Sequence, residues 1–453
     1  MKAPKNRRAP QRPRHGRTAL SLVHGLAAAA LLAACGGGSP DAAAAASTEG
    51  RVAGEVLVQL RFGADLPAVQ TQYRLSLKSR FGSRPIFRFQ APADTSVDDA
   101  VSALRADPRV VVAEPNYTAG APEARKRTVW AIGEPGQYGT QWAPAGLALP
   151  QAHTLATGQG LRVAVLDTGA DLNHPALAGR LVPGRDFVDD DNDPSEVATA
   201  VQGAYGHGTH VAGLVALAAP GAKIMPLRVL DAAGEGNVWV LAEALLYAVD
   251  PDGVPTTPDG ARVVNFSLGT TERTDILDLA KRLAECDDRD DDDDEDDKVA
   301  LDDPGYQGDR DRCNVLGSAV VISAAGNSGN ATERLYPAAE GATGSLAVAA
   351  SNAAGRVADF SNRGSWIDLA APGDGITSAI PGGRYAVWSG TSMAAPLTAG
   401  VAALLFQQNP DWKPEDVTKR LRETSVPLCG TVLRQVNADA AVRNVVLSGP
   451  ICR

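Results

Sequence analysis

The chain has no excess of basic charge. Its 43 Lys and Arg face 53 Asp and Glu, giving a formal net charge of −10 over 453 residues. That balance argues against a basic face for nucleic acid or an anionic membrane. Aromatics make up only 5%, and the composition is neither collagen-like nor that of a coiled coil. Beyond residue 34 no apolar run approaches the length of a membrane span, so the rest of the chain is expected to be water-soluble. Cysteine and histidine are scarce, at five and six, which narrows the search for chemistry. A hydrophobic content of 44% is nevertheless enough to fill a sizeable core.

The amino terminus reads as an address. Residues 1–34 hold seven Lys or Arg and no acid, then run ALSLVHGLAAAALLAA. Basic first and apolar second is the order of a secretory signal. The run ends Leu32-Ala33-Ala34-Cys35, which resembles the lipobox of bacterial lipoproteins, where the cysteine is acylated. The stretch that follows, GGGSPDAAAAAST, has the composition of a tether. Export permits disulfides among Cys286, Cys313, Cys429 and Cys452. Four cysteines allow three pairings. Cys286–Cys313 and Cys429–Cys452 are favoured because each closes a local loop.

Residues 55–62, EVLVQLRF, alternate so that Val56, Val58, Leu60 and Phe62 share one side of a strand. Val97, Ala100, Val101 and Leu104 fall at helical spacing. Further short strands are expected at Phe87, Phe89 and Val110 to Val112, making 51–118 a small sheet-and-helix module. The polar stretch after it, APEARKR, reads as exposed and cleavable. From about residue 129, buried-strand runs alternate with helical ones: Val163 to Leu166, Val263-Val264, Val320 to Ile322. This pattern predicts a parallel sheet covered by helices, with function at the strand C-terminal edge. Asp287 to Asp297 holds ten acids and one Arg, and reads as a solvated insertion. Neither it nor Asp189 to Asp193 fits the EF-hand template.

Acyl transfer needs a nucleophile, a base, an acid that orients the base, and donors for the oxyanion. His207 lies in Gly206-His207-Gly208-Thr209-His210 at the start of an apolar helix. A zinc pair with His210 lacks both the His-Glu-x-x-His signature and a third ligand. Asp167 closes the strand RVAVLD, with Asp171 and Asp186 as alternative acids. Ser392, in GTSMAAP, opens an apolar helix whose Pro396 is tolerable only in the first turn. There it is either an N-cap or a hydroxyl presented at the helix's positive end.

Together AVLDTGAD, GHGTHVAG and GTSMAAP, in the order Asp, His, Ser, resemble the subtilisin-like serine proteases, the subtilases. The resemblance spans roughly 142–408. It implies an α/β fold in three α/β/α layers around a mostly parallel seven-stranded sheet, preceded by a small α+β inhibitor propeptide. Asp167 then matches the orienting acid, His207 the base, Ser392 the nucleophile and Asn327 the side-chain oxyanion donor. Ser267-Leu268-Gly269 matches the segment that pairs with extended substrate. Two departures remove the family's tight calcium site: Ala176 follows His-Pro, and the loop before KIMPLRVL is missing. No metal ligand set is carried over, no cofactor is required, and calcium would need other ligands.

The expected organisation is a signal over 1–34, a tether over 35–50, a propeptide over 51–118 and a processing linker over 119–141. A catalytic domain then fills 142–453, with an acidic insertion at 286–313. The expected product is an exported, lipoprotein-like serine endopeptidase acting on polypeptides, restrained by its own propeptide until self-cleavage within 117–130. A lipid on Cys35 would anchor the chain to a bacterial membrane before maturation. The competing readings are a catalytically silent surface protein that binds partners through the same fold, and a metal-dependent hydrolase.

Overall fold

The computed structural model describes residues 50–123, 131–286, 303–341 and 343–452, all within one compact unit, Ala45–Arg453. The expected signal, Cys35 and the acidic run 287–297 lie outside the described residues. Among the described residues no helix is long and apolar enough to cross a membrane.

The main sheet is built on strands that are apolar at every position because both faces are covered. Val163 and Val165 of the strand Arg162–Asp167 pack into one helical layer, with Val263, Val320 and Ile322 beside them. Ala164 and Leu166 face the other way, with Val264 and Val321. The first layer contains His207–Ala218 and the central helix Thr391–Gln408; the second contains Val238–Val249 and Asp275–Glu285. This is the expected three-layer α/β arrangement.

Seven strands follow one another in parallel register. Their order is Leu369–Pro372, Ser345–Ser351, Val320–Ala324, Val263–Phe266, Arg162–Asp167, Lys223–Arg228 and Arg185–Asp186. Two further pieces, Arg434–Gln435 and Val426–Pro427, extend the first edge to nine strands, the last antiparallel. These two short pieces lie beyond the seven strands that the family resemblance implied.

The amino-terminal module is an antiparallel sheet carrying the helices Leu66–Tyr73 and Val97–Arg105. Alternation along Arg51–Leu60 divides its side chains between two cores. Val56, Val58 and Leu60 fill the module's own core with Phe87, Phe89, Val101 and Leu104. Leu57 faces the opposite way, into the helical layer of the main domain. Phe62 departs from the expected side. The strand ends at Leu60, and Phe62 is 45% exposed ahead of the turn Gly63–Asp65.

The strand Val110–Gly120 continues two residues past the expected module boundary and pairs with Glu235–Asn237 of the main domain. Part of the expected linker is also ordered, since Ala131–Gly133 pairs with Arg384–Trp388. Cys286 is bonded to Cys313, with S–S 2.01 Å, and Cys429 to Cys452, with S–S 2.09 Å.

The central helix has no exposed stripe until its last turn, so its packing should dominate stability. Phe406 is fully buried beneath the Arg262 guanidinium, 4.3 Å from its ring centre. Phe406→Ala is expected to cost ~3–5 kcal/mol, read as a lowered Tm and an earlier denaturant midpoint. A Tm equal to that of the parent would contradict this packing.

Candidate active site

Three elements of the sheet edge converge on one pocket. Asp167 ends its strand fully buried. Its Oδ1 lies 2.6 Å from His207 Nδ1 and accepts the Thr168 amide at 2.8 Å. His207 begins its helix after Gly206, which sits at φ 82°. Gly208 must lack a side chain: a Cβ there would lie 2.0 Å from the Gly169 carbonyl oxygen. The close approach of helix and turn sets the short Asp167–His207 contact. The alternative acids are engaged elsewhere, Asp171 with the Gly382 amide and Asp186 with Arg228.

Ser392 lies in the first turn of the central helix, fully buried. Its main-chain carbonyl accepts the Ser267 hydroxyl at 3.0 Å, and Asn265 Nδ2 donates to that same hydroxyl at 2.9 Å. Asn327 follows the strand Val320–Ala324. Its Oδ1 accepts both the amide and the hydroxyl of Thr391 at 2.9 Å, which fixes which end of the side-chain amide faces the pocket.

Into this pocket comes a residue that sequence reasoning missed. The Glu123 carboxylate accepts from Ser392 Oγ at 2.6 Å and Asn327 Nδ2 at 2.7 Å, with His207 Nε2 at 3.2 Å. Ser392 and His207 share one oxygen, Oε2, while Asn327 holds Oε1. A Cβ on Gly390 would lie 1.8 Å from Oε1, so that glycine leaves the carboxylate its room. Burial opposes charge on His207, but Asp167 and then Glu123 outweigh it and push the imidazole up to about 10. Burial likewise opposes charge on Glu123, yet His207, Ser392 and Asn327 hold its carboxyl below the usual range. The result is an imidazolium clamped between two carboxylates.

The chain leading to Glu123 runs as an added strand. Gly120 and Gly269 exchange both backbone hydrogen bonds, at 2.9 and 3.0 Å, and the Ala121 amide reaches Gly234 O at 3.2 Å. Of the expected pairing segment, Gly269 makes the main-chain contacts. Ser267 supports the Ser392 turn instead, and the Leu268 side chain is buried in a helical layer.

Among the described residues the other histidines, His153, His174 and His210, stay apart from this chemistry. Burial, aided by the charge on His207, pushes His210 down to about 3, and it stacks on Trp388. His153 and His174 contact the carbonyls of Ala218 and Arg384. The Asp189 to Asp193 run is partly spent on arginines, Asp189 on Arg228 and Asp190 on Arg185. Asp250, Asp252 and Asp259 bring carboxylate oxygens within 4.8 Å of one another. On their own they fall short of the roughly six to eight oxygens that calcium takes.

A second unanticipated carboxylate braces the site. Glu196 accepts the Thr168 hydroxyl at 2.9 Å, the Gly206 amide at 2.6 Å, and both the amide and hydroxyl of Thr209. It therefore ties the turn after Asp167 to the helix that carries His207. Burial raises its carboxyl to about 7. Glu196→Ala is expected to lower kcat ~10-fold at little cost in KM, with Glu196→Gln recovering part of the loss. Equal kcat values for the parent and both variants would remove Glu196 from this role.

Comparison with known proteins agrees with this geometry. The profile "Peptidase_S8: Subtilase family" matches residues 158–445, and "Fervidolysin N-terminal prodomain" matches residues 38–116. The chain is 32% identical over 398 residues to the "Thermophilic serine proteinase" of Bacillus sp. (strain AK1), covering 84% of each chain. It is 34% identical to "Thermitase" of Thermoactinomyces vulgaris, covering 67% of this chain and 96% of that one. The solved structure of fervidolysin from Fervidobacterium pennivorans, described as a keratinolytic enzyme related to subtilisin, superposes with a TM-score of 0.67 at 23% identity. That match covers 89% of this chain and spans 63% of fervidolysin. This chain belongs to the subtilase family: it is a subtilisin-like serine protease with an amino-terminal prodomain.

Proposed function

We propose that this is an exported serine endopeptidase made in a latent form, in which Glu123 plugs the catalytic centre until the prodomain is cut away. In the working enzyme Ser392 Oγ bonds to the substrate carbonyl carbon and its proton passes to His207 Nε2. Asp167 steadies the resulting imidazolium through Nδ1. The carbonyl oxygen, now negative, is held by Asn327 Nδ2 and the amide of Ser392 at the helix start. Collapse of the adduct breaks the C–N bond, and the departing amine takes the proton from His207. Water then attacks the acyl-enzyme, giving its proton to His207, which returns it to Ser392. The substrate lies as an extended strand beside Gly269 and Glu235–Asn237, where residues 118–121 lie in the latent chain.

The observation that carries this reading is the single carboxylate touching Ser392, His207 and Asn327 together. An anion is bound where peptide hydrolysis develops negative charge. Export, and acylation of Cys35 as an anchor ahead of the prodomain, rest on the sequence of residues 1–35. Cleavage between 117 and 130 would then free the catalytic domain from that anchor.

Two outcomes test the proposal. Ser392→Ala should leave the chain uncut between 117 and 130 and inactive on an unfolded protein. Asn327→Ala should retain the mechanism but lose ~10²–10³ in turnover. Full proteolysis by the Ser392→Ala chain would sink the assignment.

The pH dependence of processing tests the plug. His207 is raised, so its share of the plug's stability is complete below its unfolded value and is lost as pH rises through about 10. Glu123 is lowered, so its share is lost as pH falls through the depressed value. On the acid side His207 stays protonated and cannot act as a base, so only alkaline pH should release processing. Glu123→Gln removes one of the two carboxylates and should move that alkaline onset down by roughly one unit or more. Identical onsets in the parent and Glu123→Gln would contradict the plug.

A further inference from the structure

The acidic insertion reads as a solvated loop, but its carboxyl-terminal flank buries Asp303, Tyr306, Asp309 and Arg312. Residues 303–313 fold as the turn Pro304–Tyr306 and the helix Gln307–Val315, tied back by the Cys286–Cys313 bridge. Arg312 is 2% exposed and donates to the carbonyls of Leu283 and Gly317 at 2.5 and 3.1 Å. The flank is thereby fixed to the catalytic domain as a rigid shelf.

Three separate elements of the prodomain sit on that shelf. From the turn at Gly63, the backbone amide donates to Asp303 Oδ2 at 3.0 Å. From the strand Arg51–Leu60, Gln59 Nε2 donates to the hydroxyl of the fully buried Tyr306 at 3.1 Å. From the turn of the antiparallel hairpin Ser76–Arg80 and Ile86–Gln90, the Ser83 hydroxyl donates to Gly305 O at 2.8 Å, and Arg84 forks onto Asp309 at 2.8 and 2.5 Å. The Asp309 side chain is 5% exposed, so this fork is shielded from water and salt. A side chain at Gly305 would lie 2.4 Å from the Ser83 carbonyl oxygen, so the two surfaces meet closely enough to exclude one.

None of these groups touches Asp167, His207, Asn327 or Ser392. The shelf adds nothing to the chemistry and holds the prodomain by elements other than those that enter the cleft. Resting on the reading that the prodomain inhibits, we propose that residues 303–313 are a docking shelf that retains the prodomain after the chain is cut. The partner it fits is an antiparallel hairpin whose turn carries an arginine. This shelf would then set how long latency lasts once the covalent link is broken.

The test separates docking from self-processing. A recognition site for an unrelated protease is placed within 124–130 of the full Ser392→Ala chain, so the cut does not depend on this enzyme. Dissociation of the cut prodomain is then timed by size-exclusion chromatography after dilution. Arg84→Ala and Asp309→Ala should each speed release tenfold or more, equivalent to about 1.4 kcal/mol. The exchange Arg84→Asp with Asp309→Arg should recover part of the retention and guards against a single variant that misfolds. Release rates in both single variants within twofold of the parent would overturn the proposal. So would a parent complex that separates as fast as the variants. Failure of the unmodified chain to process itself would count against the proposed function and leave these rates readable.

Discussion

One buried carboxylate organises the candidate site. Glu123 is anionic where burial favours neutrality, because an imidazolium, a hydroxyl and a side-chain amide all point at it. In water these contacts would contribute little. Out of water each is strengthened by the low dielectric, and each would be costly left unpaired. In the proposed mechanism the same arrangement would keep His207 from acting as the base, since a base that already holds a proton cannot accept one. On the proposed reading the same group both blocks the centre and switches it off electrostatically.

The placement of that group follows from the sheet. Parallel strands buried on both faces end together, so Asp167, Asn265 and Asn327 arrive near one edge without sharing any stretch of sequence. Their companions come from helices that start at the same level, His207 behind a left-handed glycine and Ser392 at the start of a helix whose Pro396 sits beyond the first turn expected for it, leaving the Ser392 carbonyl to the Ser267 hydroxyl. The prodomain strand pairs with Glu235–Asn237 and bridges to Gly269 by main-chain hydrogen bonds, and its tail carries Glu123 into the pocket. At the other end of the prodomain, the shelf at 303–313 holds groups that lie outside the cleft. The proposed inhibition and retention thus fall on different surfaces of the same small module.

How much of this was legible in the sequence divides along local and non-local lines. The apolar runs at 163–166, 263–264 and 320–322 announced a twice-covered sheet because burial on both faces leaves a continuous signature. Asp167, His207, Asn327 and Ser392 were legible because each lies within a short motif rich in glycine, whose backbone demands are local. Glu123 was not. It sits in the polar run APEARKR, and polarity reads as exposure when the buried partners lie 84, 204 and 269 positions away. Glu196 was hidden for the same reason, beside an acidic stretch. The insertion was read as acidic and solvated, but Tyr306 and Arg312 at its carboxyl-terminal end are buried by contacts that local patterning cannot reveal. Phe62 misled in the opposite sense, since alternation does not say where a strand stops.

The most direct measurement is the protonation state of His207 in the intact latent chain. Nitrogen-15 NMR of the imidazole in full-length Ser392→Ala keeps Glu123 and Asp167 in place while preventing any cut. The account predicts protons on both ring nitrogens at neutral pH, with titration only well into the alkaline range. A neutral His207 ring at pH 7, with the prodomain still docked, would contradict it.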